Sequence, residues 1–287
     1  MPELPEVEIV KQSLNKKIKL KKIRRVIIRN RNLRFKIPSE FERKLHKKVI
    51  KNVSRFSKYL LINFTDNTFC IIHLGMTGTI HLVEKNNKKK YTNTSFYKSQ
   101  ILPRKHNHIE IHFDRLKIIY NDPRRFGFIK YFHSKNNLDF YLSRIGLEPL
   151  NQKFNFSYLK KNLINKQKNI KNFLLDQKYI SGIGNIYANE ILFCSKIHPI
   201  RLCNSLKDKE IIRIIKYSKK VLKKAIKKGG SSIRNFKNSV GKSGSYQKEF
   251  LVYDQETKKC PSANCKEKIS KIFISNRSSY FCKNCQK

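Results

Sequence analysis

The chain has 287 residues, 39% of them hydrophobic, and its 64 Lys and Arg against 20 Asp and Glu give a formal net charge of +44. That length and apolar content exclude a disordered tail and suit two domains with a small appendage, and a charge this large repels itself unless a polyanion is near, so nucleic acid is the expected partner. No apolar run approaches the roughly 18 residues a membrane span needs, and the start "MPELPEVEIV" lacks a signal peptide's basic and apolar regions, so a cytoplasmic location is expected.

Pro5 suits the first turn of a helix, and Val7, Val10, Leu14 and Ile18 follow at helical spacing. Residues 2 and 3 then project just beyond the helix N-terminus, where the dipole favours the carboxylates of Glu3 and Glu6. On local grounds "PELPE" reads as a helix-entry cap. A second reading is chemical. Only a terminal proline carries a nucleophilic amine, and removal of Met1 before this small residue would expose the one on Pro2. Such an amine titrates near about 8, leaving roughly a tenth of it neutral at pH 7. Lys58, in "RFSKYLL", is a candidate proton handler alongside the two glutamates.

From about residue 23 to 135 the pattern is strand-like. "YLLINFTDNTFCIIHL" reads as strand, turn, strand around Thr65, Asp66 and Asn67. "HIEIHFDRLKIIYND" alternates Ile109, Ile111 and Phe113, turns near Asp114 and Arg115, then alternates Leu116, Ile118 and Tyr120. Short strands at this spacing predict a β-sandwich. "HLGMTG" places Met76 at a Gly-flanked turn after His73, and "RKHNH" puts His106 and His108, both read as surface histidines, ahead of a strand. In "NDPRRFGF", Arg124, Arg125 and Phe126 follow an Asp122–Pro123 turn. They are either surface charge over a core aromatic or a wedge, with Phe entering a base step while Arg reads base edges or phosphate.

"NNLDFYLSRIGLEPL" reads as a connection between domains, and beyond it the period turns helical. Gly182 and Gly184 precede a helix beginning near Asn185, whose free N–H groups suit phosphate. With "KQKNIKNFLL" upstream, this is a helix-turn-helix arrangement. Ser205 and Asp208 have capping-box spacing. Ile211, Ile215, Leu222 and Ile226 share a face up to a stop at Gly229. "NSVGKSGSYQ" is Gly/Ser-rich, but Phe236 stands where a phosphate-binding loop needs Gly.

Four of the seven cysteines fall in the last 28 residues, Cys260 and Cys265 as C-x4-C and Cys282 and Cys285 as C-x2-C. Four thiolates so spaced suit a tetrahedral zinc in a two-stranded ribbon, the alternative being four free thiols. A segment this short buries little core, so the metal would supply its folding energy. Cys70, Cys194 and Cys203 sit in apolar contexts and read as buried filler.

Taken in order, "PELPEVE", "KYLL", "HLGMTG", "DPRRFG", "GIGNIYANE", "KGGSSI" and the cysteine tail with "NRSSYFC" resemble the formamidopyrimidine-DNA glycosylases, bacterial repair enzymes for oxidised purines, over essentially the whole chain. The resemblance implies an α+β multidomain fold. An N-terminal helix and β-sandwich would occupy 1–135 and a hinge 136–150. A helical helix-two-turn-helix domain would follow over 151–240, then a mobile loop and C-terminal zinc ribbon over 241–287. It implies a monomer that flips a damaged base from duplex DNA, cleaves its glycosidic bond and nicks the abasic site by β,δ-elimination. Pro2 would form the Schiff base, Glu3 would assist ring opening and base departure, and Glu6 would hold the sugar or the Pro2 amine. Lys58 would donate the proton for β-elimination and Arg277 for δ-elimination. Met76, Arg124 and Phe126 would fill the gap left by the everted nucleotide, with His73, His106, Lys166 and Asn185 as further DNA contacts. Cys260, Cys265, Cys282 and Cys285 would hold one structural Zn2+.

Three departures stand out. The first knuckle is C-x4-C where the family commonly has C-x2-C. Arg234 stands where enterobacterial members tend to have Lys, and 238–247 matches loosely the lid over the everted base. Two alternatives stay open: the endonuclease VIII branch for oxidised pyrimidines, which usually carries Gly where Leu4 stands, and a non-enzymatic zinc-ribbon binder.

Overall fold

A computed structural model describes residues 1–84, 90–91, 104–231 and 244–287. They form two compact units, Met1–Leu142 with Lys228–Gln247, and Ser143–Lys227 with Lys248–Lys287.

The first unit opens with α1 (Leu4–Ile18), which buries Val7, Val10, Leu14 and Ile18 as its spacing predicts. It ends where Leu20 takes φ 61°, with Lys16 and Lys17 in its last turn complementing the dipole. The strands are β1 (Arg25–Ile28), β2 (Ile50–Phe56), β3 (Tyr59–Phe64), β4 (Phe69–His73), β5 (Thr79–Glu84), β6 (Lys90–Tyr91), β7 (Asn107–His112), β8 (Leu116–Asn121) and β9 (Phe128–Phe132). They make two antiparallel sheets, ordered β1-β7-β8-β5-β6 and β2-β3-β4-β9. Leu60, Ile62, Cys70 and Ile72 of one sheet and Ile80, Leu82, Ile109, Ile111 and Ile118 of the other enter one core with the apolar face of α1. Each such aliphatic side chain is worth about 2 kcal/mol of burial. The expected sandwich is therefore present, with its turns at Thr65–Asn67 and at Asp114–Arg115. Short α2 (Phe41–Leu45) follows β1, and α3 (Lys135–Leu142) follows β9. Residues 136–142, read as part of the connection, are thus helical, with Leu138 and Leu142 buried.

The second unit holds α4 (Phe156–Leu163), α5 (Ile170–Leu175), α6 (Asn185–Ser195), α7 (Asp208–Lys227) and the hairpin of β10 (Ile269–Ile274) and β11 (Arg277–Cys282). Helix α6 is buried from Ile186 to Phe193 and forms the hub of this unit. Two expectations for α7 shift. Its buried stripe is Ile211, Ile214, Ser218, Val221, Leu222 and Ala225, with Ile215 and Ile226 only partly covered. Its N-terminal carboxylate is Glu210, which accepts the Lys207 N–H at 2.9 Å. Ser205 instead donates to the Leu202 carbonyl within a 3-10 turn, so the capping pair lies two residues later than its spacing suggested. Gly229 stops the helix with φ +78°.

The described residues 228–231 and 244–247 group with the first unit, whereas the sequence reading placed them in its 151–240 and 241–287 segments. The reason is local. Ser231 bonds Glu6, and the Tyr246 N–H donates to the Gly230 carbonyl.

Candidate functional site

In the first unit the acidic tip is a reciprocal cap. Glu6 is the third residue of α1, and its Oε2 accepts the Glu3 N–H at 3.0 Å while the Glu3 side chain accepts the Glu6 N–H. Both carboxylates are buried, at the helix end where the dipole offsets their lost hydration. Glu6 Oε1 is also occupied, by the Ser231 N–H at 2.8 Å and the Ser231 hydroxyl at 2.9 Å. Gly230, φ +79°, permits this approach, since a Cβ there would lie 3.2 Å from Glu6 Oε1. Glu6 is thus committed to fixing the cap and residue 231, and Pro2, half-buried, is held directly ahead of it.

Lys58 lies in the two-residue turn between β2 and β3 and is buried. Its neighbour Tyr59 pairs in register with His73. Burial and then the Lys58 charge push the His73 pKa down to about 4. His73 Nδ1 accepts the Gly75 N–H at 3.1 Å, and the ring stacks on Phe128 at 5.4 Å. A neutral His73 bonded this way carries its proton on Nε2, which makes that nitrogen a neutral donor.

Met76 and Phe126 sit on two adjacent exposed tips, 45% and 43% accessible. Gly75 and Gly127 let the tips pack back to back: a Cβ on Gly75 would lie 2.5 Å from the Gly127 nitrogen. The Arg124 guanidinium lies over the Phe126 ring at 4.6 Å, so cation and ring form one piece. The organiser of both tips is Asp122, read from the sequence only as a turn residue. Its fully buried carboxylate accepts the Gly127 N–H at 2.9 Å, the Tyr120 hydroxyl at 3.1 Å and the Thr77 hydroxyl. His106 is half-buried in a 3-10 turn, and its carbonyl accepts the Asp122 N–H at 3.0 Å. His108 is not at the surface. It is buried, with Nε2 2.7 Å from the Asp122 carbonyl, at the register shift between β7 and β8.

In the second unit, Asn185 is the first residue of α6, after Gly184, and its Nδ2 donates to the Ser278 carbonyl at 3.0 Å. Lys171, fully buried on α5, donates to the same carbonyl at 2.8 Å and to Ser279 Oγ at 2.6 Å. The Tyr280 N–H donates to Asn189 Oδ1 at 2.7 Å. The hairpin turn is thereby bolted to α5 and α6. Its two turn residues, Ser275 and Asn276, both take positive φ, and exposed Arg277 follows directly. Lys171 was missed in the sequence; its signal is a lone cation inside the apolar run "IKNFLL". Lys166, expected as a DNA contact, lies in the α4–α5 connection with its ammonium 5.2 Å from the Tyr179 ring centre.

The four C-terminal cysteines converge, with all their sulfurs within 4.8 Å of one another. Cys260–Cys285 and Cys265–Cys282 are each separated by 3.7 Å. A tetrahedral metal with bonds of about 2.3 Å to sulfur needs S···S distances of about 3.8 Å. The cluster can hold one metal ion, and the C-x4-C knuckle does not prevent it. Cys70 and Cys203 are buried and Cys194 is partly covered, with burial pushing Cys194 up to about 11 and Cys203 up to about 12. Arg234 and most of the expected lid, 238–243, lie outside the described residues.

Comparison with known proteins gives a consistent picture. The model for the formamidopyrimidine-DNA glycosylase N-terminal domain matches residues 1–129, and that for the H2TH domain of the same enzymes matches 145–237. The chain is 38% identical over 288 residues to a formamidopyrimidine-DNA glycosylase of Rickettsia bellii strain OSU 85-389, covering all of both chains. It is 35% identical over 286 residues to one from Psychromonas ingrahamii, again covering both completely. Among solved structures it resembles wild-type Lactococcus lactis Fpg in complex with DNA containing N7-benzyl-Fapy-dG, with TM-score 0.87, 33% identity and full coverage of both chains. It also resembles Lactococcus lactis Fpg with abasic-site DNA, with TM-score 0.86, 33% identity and 99% coverage of each.

Proposed function

The chain belongs to the formamidopyrimidine-DNA glycosylase family, and from that premise we propose that it is a base-excision-repair DNA glycosylase with abasic-site lyase activity, acting on oxidised purines such as 8-oxoguanine and formamidopyrimidines in duplex DNA. The observation that carries this reading is the N-terminus: a proline directly ahead of a buried, mutually capped Glu3–Glu6 pair.

With Met1 removed, the Pro2 secondary amine attacks C1′ of the everted nucleotide. Glu3 assists opening of the sugar ring and departure of the base. The product is an iminium, already cationic, which acts as an electron sink for cleavage of the neighbouring C–O bonds. Glu6, whose oxygens are both engaged, holds the cap that aims Pro2 and Glu3. Lys58 serves β-elimination and contacts phosphate; Arg277 serves δ-elimination and grips phosphate. Met76, Arg124 and Phe126 fill the vacated stack, with Arg124 toward the orphaned cytosine. His73, His106, Asn185 and Lys166 contact the strand. Eversion is required because C1′ is out of reach within the duplex. Unstacking costs a few kcal/mol, which the wedge and phosphate contacts offset.

The metal is Zn2+, matched by the four-thiolate donor set and its spacing. It stabilises the ribbon that presents Arg277 and takes part in no bond-making step. A chelator should strip one equivalent of zinc per chain and weaken duplex binding; metal analysis finding none in the active protein would remove zinc from the account. No helix among the described residues is long and apolar enough to cross a membrane. The enzyme works as a monomer on DNA in the bacterial cytoplasm.

The test of the reaction is reductive trapping. Borohydride added to protein and an 8-oxoguanine:cytosine duplex should yield a covalent complex, which Pro2→Gly should abolish. Wild-type protein with a free Pro2 amine that neither crosslinks nor cuts such a duplex would overturn the reading. Preferential trapping on oxidised pyrimidines would instead point to the endonuclease VIII branch.

A further inference from the structure

Arg55 has no part in the chemistry above, yet its side chain is nearly buried, with 9% of it accessible. Its guanidinium spans two elements. Nε pairs with Glu8 Oε2 on α1 at 2.9 Å, and Nη1 donates to the Ser57 carbonyl at 2.8 Å. Glu8 is itself held from the other side, with Oε1 accepting from Lys11 at 2.9 Å and Gln12 at 3.1 Å. Burial raises the Glu8 pKa, but the hydrogen bonds from Lys11 and Arg55 outweigh this and hold it below the usual carboxylate range, so it is ionised at neutral pH.

The bonded carbonyl belongs to the central peptide of the two-residue turn Ser57–Lys58, between register partners Phe56 and Tyr59. Ser57 takes φ 55°, a region that a non-glycine residue occupies only when its surroundings impose it. Two-residue hairpin turns differ in the orientation of this central peptide. Rotating it would redirect the bonds at the Lys58 Cα. A donor fixed on the carbonyl selects one orientation, and the fixed donor is anchored to the helix that Glu3 caps and whose first turn carries Glu6.

We propose that Arg55, locked by Glu8, is a positioning residue that sets the direction of Lys58 relative to the N-terminal helix, and so serves the elimination step more than imine formation. This rests on the catalytic reading of Pro2 and Lys58 above. Lysine cannot replace it, because a single ammonium cannot present the planar fork that meets a carboxylate and a carbonyl at once.

The experiment compares Arg55→Lys, Arg55→Ala and Glu8→Gln with wild type, in full-length protein under single-turnover conditions on an abasic-site duplex. Borohydride trapping reports the imine and strand scission reports elimination. Arg55→Lys should leave the trapping rate within about threefold of wild type and slow scission by about tenfold or more, the scale expected when a reacting group is misplaced by less than an ångström. In a Lys58→Ala background the same substitution should have little further effect on scission, since the two act through one group. Trapping and scission falling in equal proportion would overturn the proposal, as would an undiminished effect in that background. A readout without catalysis separates this from failure of the site reading: acylation of Lys58, followed by peptide mass spectrometry. Release of the turn should raise Lys58 labelling several-fold in Arg55→Lys and Glu8→Gln while other lysines keep their rates. Unchanged labelling would overturn the proposal even if no imine forms in any variant.

Discussion

At the scale of single residues, Asp122 shows how little of a site's chemistry needs to touch a ligand. Three donors from three positions, Thr77, Tyr120 and Gly127, end on one buried carboxylate. Burial and then the Asp122 charge push the Tyr120 pKa well above its usual value, so that hydroxyl remains a donor. Asp122→Ala would leave the buried Gly127 N–H and Tyr120 hydroxyl facing no acceptor. An unsatisfied buried donor of this kind costs about 2 kcal/mol, so the urea midpoint should fall. Because the same carboxylate registers the Met76 and Phe126 tips, duplex affinity should fall too, more for lesion-bearing than for undamaged DNA. Equal losses on both duplexes would mean that Asp122 supports the sandwich but not the wedge. "NDPRRFGF" raised the reading of a wedge through its Arg and Phe; Asp122 was read only as a turn residue, because its three partners are spread over 50 residues of sequence.

At the scale of elements, the ribbon owes its attachment to α6. Glu190, buried on that helix, accepts the N–H groups of Leu251, Val252 and Tyr253 at 2.9, 3.0 and 2.9 Å. Burial raises its pKa and those backbone bonds lower it, and burial prevails. Glu190→Gln would replace one acceptor oxygen with an NH2 facing backbone donors, at a cost of about 2 kcal/mol. The expected outcome is a lower thermal midpoint and faster loss of metal to a chelator, with the first unit's own unfolding unchanged. Metal release at the wild-type rate would show that the 251–253 segment holds without this carboxylate. The α7 face illustrates the limit of periodicity at this scale. Isoleucines recur so often along α7 that several stripes fit the sequence, and packing against α6 selects the one through Ile214, Ser218 and Val221.

For the whole molecule, pH dependence follows from groups that burial keeps uncharged. Burial pushes His81 down to about 3, and burial with the Lys58 charge takes His73 to about 4, from an ordinary 6.5. The unfolded chain binds these protons below pH 6.5 while the folded chain refuses them, so stability is complete above 6.5 and is lost as pH falls toward 4. Glu110 adds a later loss. Burial raises its pKa, but Lys117 and Arg29 outweigh this and bring it to about 2, so its contribution is present above about 4.5 and disappears between there and about 2. That share is small, because solvent screens this partly exposed cluster. Urea midpoints measured from pH 7.5 to 4 should fall steadily below 6.5, and His81→Gln should flatten the slope. An unchanged slope in that variant would assign the loss elsewhere, to repulsion within a chain of net charge +44.

Local pattern was enough to determine the N-terminal helix, the alternating strands of the sandwich, the Gly-led start of α6, the four cysteines and the order of motifs that marks the family. Each depends on residues close in sequence, where spacing and backbone preference act directly. Only the tertiary structure decided that Glu6 closes on Ser231, that Asp122 joins two tips, that Lys171 lies beneath the ribbon turn, and that residues 228–231 and 244–247 group with the first unit. These depend on a buried polar group finding a partner far along the chain. Desolvation makes such a partner obligatory, but it leaves no periodic trace by which the partner could be read in advance.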